Sequence, residues 1–189
     1  MRLLLATRNA HKIREFERLL GGIRLDPLPG GIPSPDEDGD SYAVNALIKA
    51  RAAAKATGRT AIADDSGIEA AALGGVPGIR SARFAGEHAS DAENLAKLAS
   101  QAPPGSPLRY VCVIAHVTPA GDEHLFEGIT TGTVAREPRG TGGFGYDPLF
   151  VPDDVAGDGR TMAERSDAEK DAISHRGRAA RALHKWLQP

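Results

Sequence analysis

Two adjacent carboxylates, Asp64 and Asp65, are the first residues whose types and spacing suit chemistry. They follow a short apolar segment, residues 60–63, which we expect to be a strand, and they precede Ser66-Gly67. Two acids at a buried strand end repel each other unless a cation or hydrogen bonds satisfy them. Oxygen ligands of this kind suit Mg²⁺. The alternative is a turn in which Asp and Ser cap backbone groups, which is a common arrangement.

A second group, residues 7–12, follows the apolar run 3–6, which predicts a short buried strand. In open α/β sheets ligands bind beyond the carboxyl ends of strands, and helix N-termini favour anions. Thr7 and Asn9 offer hydrogen bonds there, while Lys12 adds a positive charge that suits phosphate. Alternatively, Thr7 or Asn9 merely caps the following helix. The residues favour neither interpretation over the other.

The segment 36–40 is an acidic loop before the second predicted helix. By itself it is more typical of a solvated loop whose last acids favour the helix N-terminus. Together with Asp64 and Asp65 it offers a further metal carboxylate.

His175 and Arg176 follow Ser174, which can cap the last predicted helix. Cations in a first helical turn oppose the helix dipole. Their position is explained if they meet an anion or a carbonyl group. The alternative is a basic, solvated helix face.

The glycine run 140–145 has the spacing G-x-G-x-x-G of dinucleotide-binding loops, and a strand-like segment precedes it. Pro148 follows three residues after the last glycine, and Asp147 before it favours extended geometry. A helix behind the loop is therefore excluded, and with it the dinucleotide interpretation. What remains is a flexible loop beside Phe144 and Tyr146, which serves either a tight turn or a close approach to a ligand.

Hydrophobic periodicity and turn residues predict the elements that must position these groups. A first helix carries Ile13, Phe16 and Leu19 and ends at Gly21-Gly22. A loop over 26–40, rich in proline and glycine, precedes the second helix. The remaining predicted elements are a helix over about 41–57, a helix from the capping box at 90–93 to about 101, a hairpin of strands 108–118 and 123–136, and a helix from about 174. The pattern indicates an α/β fold with a mixed sheet.

The totals exclude several classes of protein. The 189 residues suit one domain, or two small lobes sharing a core. The net charge of -2 and the 5% aromatic content disfavour a nucleic-acid-binding surface. The apolar N-terminal run is too short for a signal or a membrane span, so we expect a soluble cytoplasmic protein. Cys112, the single cysteine, lies in an apolar run and is expected to be a buried small hydrophobe.

The sequence resembles the inosine triphosphate pyrophosphatase family. Six segments carry the resemblance, occur in the family's order and span nearly the whole chain. They are Thr7–Lys12, Asn45–Ala50, Ala63–Gly67, Gly74–Arg83, Gly140–Pro148 and Ile173–Gly177.

The resemblance implies an α/β fold with a long, twisted mixed sheet, helices on both faces and two lobes around a central substrate cleft. It implies a single domain over residues 1–189, a homodimer, and Mg²⁺ as cofactor. The implied reaction hydrolyses nonstandard purine nucleoside triphosphates, namely ITP, dITP and XTP, to the monophosphate and pyrophosphate. We expect no nucleic-acid or membrane partner.

The resemblance also assigns roles residue by residue. Asp65 is the catalytic residue and a metal ligand, and the second metal carboxylate is Asp36 or Glu37, with Glu37 slightly favoured. The residues expected to bind the phosphates are Thr7, Arg8, Asn9, Ala10, His11, Lys12 and Lys49. The residues expected to contact the rest of the substrate are Ser66, Phe144, Gly145, Tyr146, Asp147, Lys170, His175 and Arg176.

Overall fold

The structure is a computed structural model that describes residues 1–154 and 157–188. The strands in this part of the chain are β1 Arg2–Leu5, β2 Arg24–Pro27, β3 Ala61–Ala70, β4 Pro107–Val117, β5 Glu123–Val134 and β6 Phe150–Pro152. The helices are α1 Ala10–Leu19, α2 Tyr42–Thr57, α3 Asp91–Gln101, α4 Asp167–Ile173 and α5 His175–Leu187.

The strands form one six-stranded sheet with the order β2-β1-β3-β4-β5-β6. Strand β1 runs parallel to β2 and to β3, with Leu4 opposite Ala61 in the second pair. Strand β5 runs antiparallel to β6, with Gly132 opposite Pro152. The sheet is therefore mixed, and the predicted α/β class is confirmed.

Two compact units make up the chain. The first consists of Met1–Asp65, Cys112–Gly128 and Arg178–Pro189, and the second of Ser66–Val111 and Ile129–Gly177. Strands β3, β4 and β5 contribute residues to both units. The single domain over 1–189 and the central cleft stay predictions.

In the first unit, helices cover both faces of the strands. Because successive strand side chains point to opposite faces, Leu3 and Leu5 pack with α1 and α5. Leu4, by contrast, packs with the alanine-rich side of α2, through residues such as Ala46 and Ala50. The small alanine side chains let this helix lie close to the sheet. The expectation of helices on both faces is confirmed for this unit.

The second unit has a core of its own, in which aromatic and aliphatic side chains meet. Ile68 of β3, Leu98 of α3, Tyr110 of β4 and Phe150 of β6 belong to it, together with Met162 from a short 3₁₀ helix. Each of these side chains is at most 6% exposed. This core supports the glycine run and the start of α5.

Polar caps set several helix boundaries as the sequence predicts. Ser41 accepts a hydrogen bond from the Val44 amide at the start of α2. Ser90 and Glu93 form the predicted capping box at the start of α3. Gly58 ends α2 in the left-handed region, at φ 63°, which favours glycine.

The largest difference from the sequence-based expectation concerns β3. The predicted strand ends at residue 63, but β3 continues through Asp64-Asp65-Ser66-Gly67 to Ala70. The turn considered for these four residues is wrong. The strand continues because the polar side chains find partners on both sides of the sheet, so they do not require a turn.

Smaller differences occur at short elements. Strand β2, Arg24–Pro27, takes up the first residues of the predicted loop. Helix α4, Asp167–Ile173, was not predicted, although Ser166 and Glu169 form a capping box before it. Ser174 separates α4 from α5.

The predicted hairpin is confirmed, because β4 and β5 are neighbours in the sheet and the Thr118 amide donates to the Asp122 carbonyl at 3.0 Å. Cys112 is buried, as expected. Within the residues that the structure describes, no helix combines the length and the apolar character needed to cross a membrane.

Candidate active site

The two adjacent carboxylates of β3 serve different groups. Neighbouring residues of a strand point to opposite faces, and Asp64 accordingly contacts Lys12 of α1, with 2.9 Å between Oδ2 and Nζ. Asp65 instead contacts Asn45 and Lys49 of α2. The two acids therefore make their close contacts with different helices, Asp64 with α1 and Asp65 with α2.

Asp65 is buried and held by two side chains of α2. Asn45 Nδ2 donates to Asp65 Oδ2 at 3.1 Å, and Lys49 Nζ lies 3.8 Å from Oδ1. Asn45 and Lys49 are four residues apart, so they share one face of the helix. Burial raises the pKa of Asp65 above its ordinary value, while Lys49 and Lys12 oppose this rise.

Lys49 lies between two carboxylates. Its Nζ donates to Glu37 Oε2 at 2.7 Å, in addition to the longer contact with Asp65. Burial lowers the pKa of Lys49, but the carboxylates of Asp64, Asp65 and Glu37 outweigh it and raise this pKa overall. The ammonium group is therefore charged at neutral pH.

The oxygen atoms around Lys49 fit a hard cation. Glu37 and Asp65 approach the same ammonium group from the acidic loop and from β3. Asp36 and Glu37 are both exposed, so the contact with Lys49, and not burial, favours Glu37. Among the described residues, no three His, Cys, Asp or Glu side chains are grouped closely enough to hold a metal ion. Two carboxylates match Mg²⁺, which keeps several waters and takes further oxygens from substrate phosphates.

The N-terminus of α1 carries most of the predicted phosphate-binding residues. Asn9 caps it, because its Oδ1 accepts from the amides of His11 at 2.9 Å and Lys12 at 3.2 Å. The Asn9 amide donates to Thr7 Oγ1 at 3.3 Å. The capping interpretation is thus confirmed for Asn9. Ala10, the first residue of the helix, is exposed.

Arg8 and His11 interact with neighbouring protein groups. The Arg8 guanidinium donates to the carbonyls of Ile32 and Pro29, on the loop that leads to the acidic segment. His11 Nδ1 lies 2.8 Å from Arg14 Nη2. Arg8 therefore fixes the loop that carries Glu37, a contact the sequence did not suggest.

The glycine run of the second unit packs tightly against protein atoms. Gly143 has φ 66°, and a Cβ there would lie 2.0 Å from Asp147 Oδ2. Gly140 has φ 84°, and a Cβ there would lie 2.4 Å from the Ala163 carbonyl. These two positions require glycine for backbone conformation and for close packing. Directly after the run the chain forms a 3₁₀ turn, Asp147–Leu149, and then strand β6, in place of the helix that a dinucleotide fold needs.

A buried ion pair stands behind the glycine run. Lys170 Nζ lies 2.6 Å from Asp147 Oδ2, which also accepts the Phe144 amide at 2.9 Å. Both charged side chains are 4% exposed. The pair connects α4 to the loop and places the Phe144 ring 5.1 Å below the Lys170 ammonium.

His175 and Arg176 are 5% and 2% exposed, so the solvated-face alternative is wrong. The Gly177 amide donates to Ser174 Oγ at 3.0 Å, which caps α5 as predicted. Arg176 Nη2 donates to Ser66 Oγ at 2.9 Å, and its guanidinium carbon lies 5.6 Å from the centre of the Phe144 ring. These contacts bring three predicted substrate residues together, namely Ser66, Phe144 and Arg176.

Gly145 and Tyr146 anchor the loop. The Tyr146 hydroxyl donates to the Ser81 carbonyl at 2.7 Å, and its ring is buried. The Gly145 amide donates to Asp91 Oδ2 at 3.0 Å. In the structure Tyr146 thus contacts the protein through its only polar side-chain atom.

Asn45 is a site residue to which the sequence argument assigned no role. Besides orienting Asp65, its Oδ1 accepts the Gly39 amide at 2.9 Å. It therefore joins the acidic loop to β3. A polar residue four positions before Lys49, in a helix otherwise rich in alanine, is the signal that identifies it.

The two groups of residues suit different chemistry. Around Lys49, carboxylates and ammonium groups provide a place for a cation and a base that can accept a proton from water. Around Phe144, an aromatic face accompanied by cationic donors suits a flat, carbonyl-bearing ring.

Comparison with known proteins finds similar sequences along nearly the whole chain. Residues 3–186 match the model of the Ham1 family. A dITP/XTP pyrophosphatase of Symbiobacterium thermophilum is 50% identical, covering 97% of this chain and 94% of that protein. One of Corynebacterium diphtheriae is 46% identical, with 97% and 95% covered.

Solved structures of similar proteins have the same fold as this chain. A HAM1 protein from Coxiella burnetii has a TM-score of 0.86 and 40% identity, covering 99% of this chain and 98% of that one. A nucleoside-triphosphatase, or dITP/XTP pyrophosphatase, from Mycobacterium abscessus has a TM-score of 0.74 and 44% identity over the full length of both chains. With a family match over nearly all of its residues, and relatives this similar throughout, the chain belongs to the Ham1 family.

Proposed function

We propose that this protein is a Mg²⁺-dependent nucleoside triphosphate pyrophosphatase that hydrolyses ITP, dITP and XTP to the monophosphate and pyrophosphate. The observation that carries the proposal is Asp65, a buried carboxylate oriented by Asn45 and placed beside Lys49 and Glu37. The names of the similar bacterial enzymes support the same substrate class.

The residues of the first unit take the phosphates. A nucleoside triphosphate carries about four negative charges, which need cations near them for binding and for departure of the leaving group. Lys12 and Lys49 supply two positive charges, and the first amides of α1 add a partial one. Asp65 and Glu37 would hold Mg²⁺, which would add positive charge beside the phosphates.

The reaction transfers the nucleotidyl group, which contains the α-phosphorus, to water. The water oxygen forms a bond to the α-phosphorus, and the bond from that phosphorus to the oxygen bridging to the β-phosphorus breaks. Asp65 orients the water and accepts its proton. Asn45 keeps the carboxylate in place by holding its second oxygen. The electron pair of the broken bond leaves with pyrophosphate.

The residues of the second unit select the base. Hypoxanthine and xanthine carry a carbonyl at C6, where adenine carries an amino group. Arg176 and His175 present N–H donors from the start of α5, and these pair with a carbonyl but meet the hydrogens of an amine. A buried donor left unpaired costs about 1–3 kcal/mol. Phe144 offers its ring for stacking on the purine.

A nucleotide panel tests the proposal. Purified protein with Mg²⁺ is incubated with ITP, dITP, XTP, ATP, GTP and a modified pyrimidine triphosphate, and pyrophosphate and orthophosphate are measured separately. We expect pyrophosphate from the first three, and loss of activity with EDTA. Orthophosphate as the product contradicts the reaction, and equal rates on ATP and GTP contradict the selectivity. Binding of ITP without turnover indicates a nucleotide-binding module instead.

We also propose that the protein works as a homodimer, as its family resemblance implies. Light scattering after size-exclusion chromatography tests this, since a mass of about twice 19.8 kDa is expected. A mass near that of one chain at micromolar concentration contradicts the proposal.

A further inference from the structure

Tyr110 belongs to none of the motifs discussed above, yet it contacts two of their residues. It lies in β4, is 6% exposed, and belongs to the core of the second unit. Its ring stacks on the His175 imidazole, with centroids 4.4 Å apart and planes 7° apart. Its hydroxyl donates to Asp147 Oδ1 at 3.3 Å.

The two partners of Tyr110 come from different segments. His175 begins α5, and Asp147 follows the glycine run. Strand β4 is a long interior strand of the sheet, so Tyr110 connects both segments to a rigid element. A stacked aromatic neighbour restricts rotation of the imidazole, since the nearly parallel arrangement is lost when the ring turns.

The hydroxyl of Tyr110 stays protonated. Burial raises its pKa well above the ordinary value, and the Asp147 carboxylate raises it further. Asp147 Oδ1 thus receives a neutral O–H donor, while Oδ2 receives Lys170 and the Phe144 amide. The carboxylate that holds Phe144 in place is therefore bonded through both oxygens.

We propose that Tyr110 is a positioning residue for base recognition: by stacking on His175 it fixes the imidazole in the orientation that selects a 6-oxopurine. This inference rests on the proposed function and extends it to a residue that does not itself touch substrate. The hydroxyl contributes less than the ring, because Asp147 keeps two other partners when the hydroxyl is lost.

The competing explanation is that Tyr110 only fills the core. Phe150 offers a matched control, because its ring also contacts Tyr110, at 4.6 Å, and is fully buried in the same cluster. If packing alone mattered, Phe150→Leu and Tyr110→Leu would have the same effect on substrate selection after correction for stability.

The experiment compares wild type with Tyr110→Leu, Tyr110→Phe and Phe150→Leu. Thermal unfolding and circular dichroism first establish that each variant is folded at the assay temperature. The ratio of kcat/KM for ITP to that for ATP then reports base selection. Inhibition by inosine monophosphate reports the base side of the substrate, and inhibition by tripolyphosphate reports the phosphate side alone.

We expect Tyr110→Leu to lower the ITP-to-ATP ratio about fivefold, the size of one lost aromatic contact. Inosine monophosphate should inhibit it about fivefold more weakly, with inhibition by tripolyphosphate unchanged within about twofold. Tyr110→Phe should retain the wild-type ratio because it keeps the ring, and Phe150→Leu should retain it despite lower stability.

A wild-type ratio in folded Tyr110→Leu overturns the inference, as does an equal loss in Phe150→Leu. If Tyr110→Leu fails to fold, Tyr110→Met is measured in its place, where a lowered ITP-to-ATP ratio supports the inference and a wild-type ratio overturns it. Failure of the proposed function gives a different result, since wild type then hydrolyses no triphosphate. Direct binding of inosine monophosphate and of tripolyphosphate to the same variants then decides the inference.

Discussion

Two charged clusters, one around Lys49 and one around Lys170, use the same residue types in different surroundings. Lys49 bridges Glu37 and Asp65, and the Glu37 side chain is 38% exposed. The pair of Lys170 with Asp147 is 4% exposed on each side. Water can reach the first cluster and is nearly excluded from the second. The first cluster can therefore admit a further cation from solvent through the exposed Glu37, whereas the Lys170 pair is closed to one.

The balance of charge differs as well. One ammonium group faces two carboxylates in the Lys49 cluster, which leaves negative charge for a further cation. In the Lys170 pair one ammonium faces one carboxylate, and the Phe144 amide and Tyr110 hydroxyl complete the bonding of Asp147. A buried ion pair is tolerable only when its hydrogen bonds are complete. Exposure and charge thus suit the Lys49 cluster to binding a further cation. They suit the Lys170 pair to holding the structure around the glycine run.

Removing the Asp65 carboxylate from the Lys49 cluster should have the largest effect. Asp65→Asn is expected to lower kcat for ITP by about 10²–10⁴-fold, because the amide cannot accept a proton from water. The free energy of unfolding should stay near that of wild type, since the amide retains the shape of the side chain. Steady-state kinetics and urea unfolding measure both. Glu69→Gln, the same change in charge on the same strand, is the control, and comparable turnover in Asp65→Asn and Glu69→Gln contradicts the assignment.

Removing the cation of the buried pair should reduce stability instead. Lys170→Met leaves Asp147 charged and buried, which costs about 3–5 kcal/mol of the free energy of unfolding. Lys49→Met should cost less than half as much, because Glu37 is able to regain water. Urea unfolding of both variants measures the difference. Combining Lys170→Met with Asp147→Asn should recover part of the loss, and no recovery would argue against an uncompensated charge as its cause.

The choice between Asp36 and Glu37 sharpens the comparison further. Glu37→Gln should raise the Mg²⁺ concentration for half-maximal activity about tenfold, since it removes one of the two carboxylates that contact Lys49 and are proposed to hold the ion. Asp36→Asn should change it less than about twofold, because the acidic loop reaches Lys49 through Glu37. Titration of activity with Mg²⁺ measures both, and the reverse order would assign the ligand to Asp36.

A third ion cluster, on the surface, should give the smallest effect. Arg2 and Arg59 hydrogen-bond to Asp26 and lower its pKa from 3.8 to about 2. A carboxylate whose pKa is lowered in the folded state stabilises the fold at pH values above its ordinary pKa. This stabilisation is lost as the pH falls from about 4 through about 2. Asp26→Asn should therefore be less stable than wild type at pH 6 and equally stable near pH 2. Urea unfolding at both pH values checks this, and a difference independent of pH contradicts the assignment.

Local signals in the sequence were sufficient for several elements. The capping residues Ser41 and Ser90 start α2 and α3 where the sequence predicts. Hydrophobic spacing predicted α1, and the turn at 119–122 predicted the hairpin. These features depend on residues a few positions apart, which a sequence displays directly.

Features that depend on distant residues were not predictable in the same way. Strand β3 continues past Ala63 only because Lys12 and Asn45 provide partners for its acids, and neither is near it in sequence. The burial of His175 and Arg176 depends on contacts with β3, β4 and the glycine run. Charge in a sequence predicts exposure, and only the three-dimensional partners show where that expectation is wrong.

The uninterrupted strand through Asp64 and Asp65 has a consequence for insertions and deletions. One residue added or removed between Ile62 and Asp64 would turn each acid to the face now used by the other. Lys12 and Asn45 would then both lose their partners at once. A residue added in the loop between β2 and α2 shifts no side chain across the sheet. In related sequences, length variation should therefore be absent from this strand, and in that loop it should spare the segment that carries Glu37.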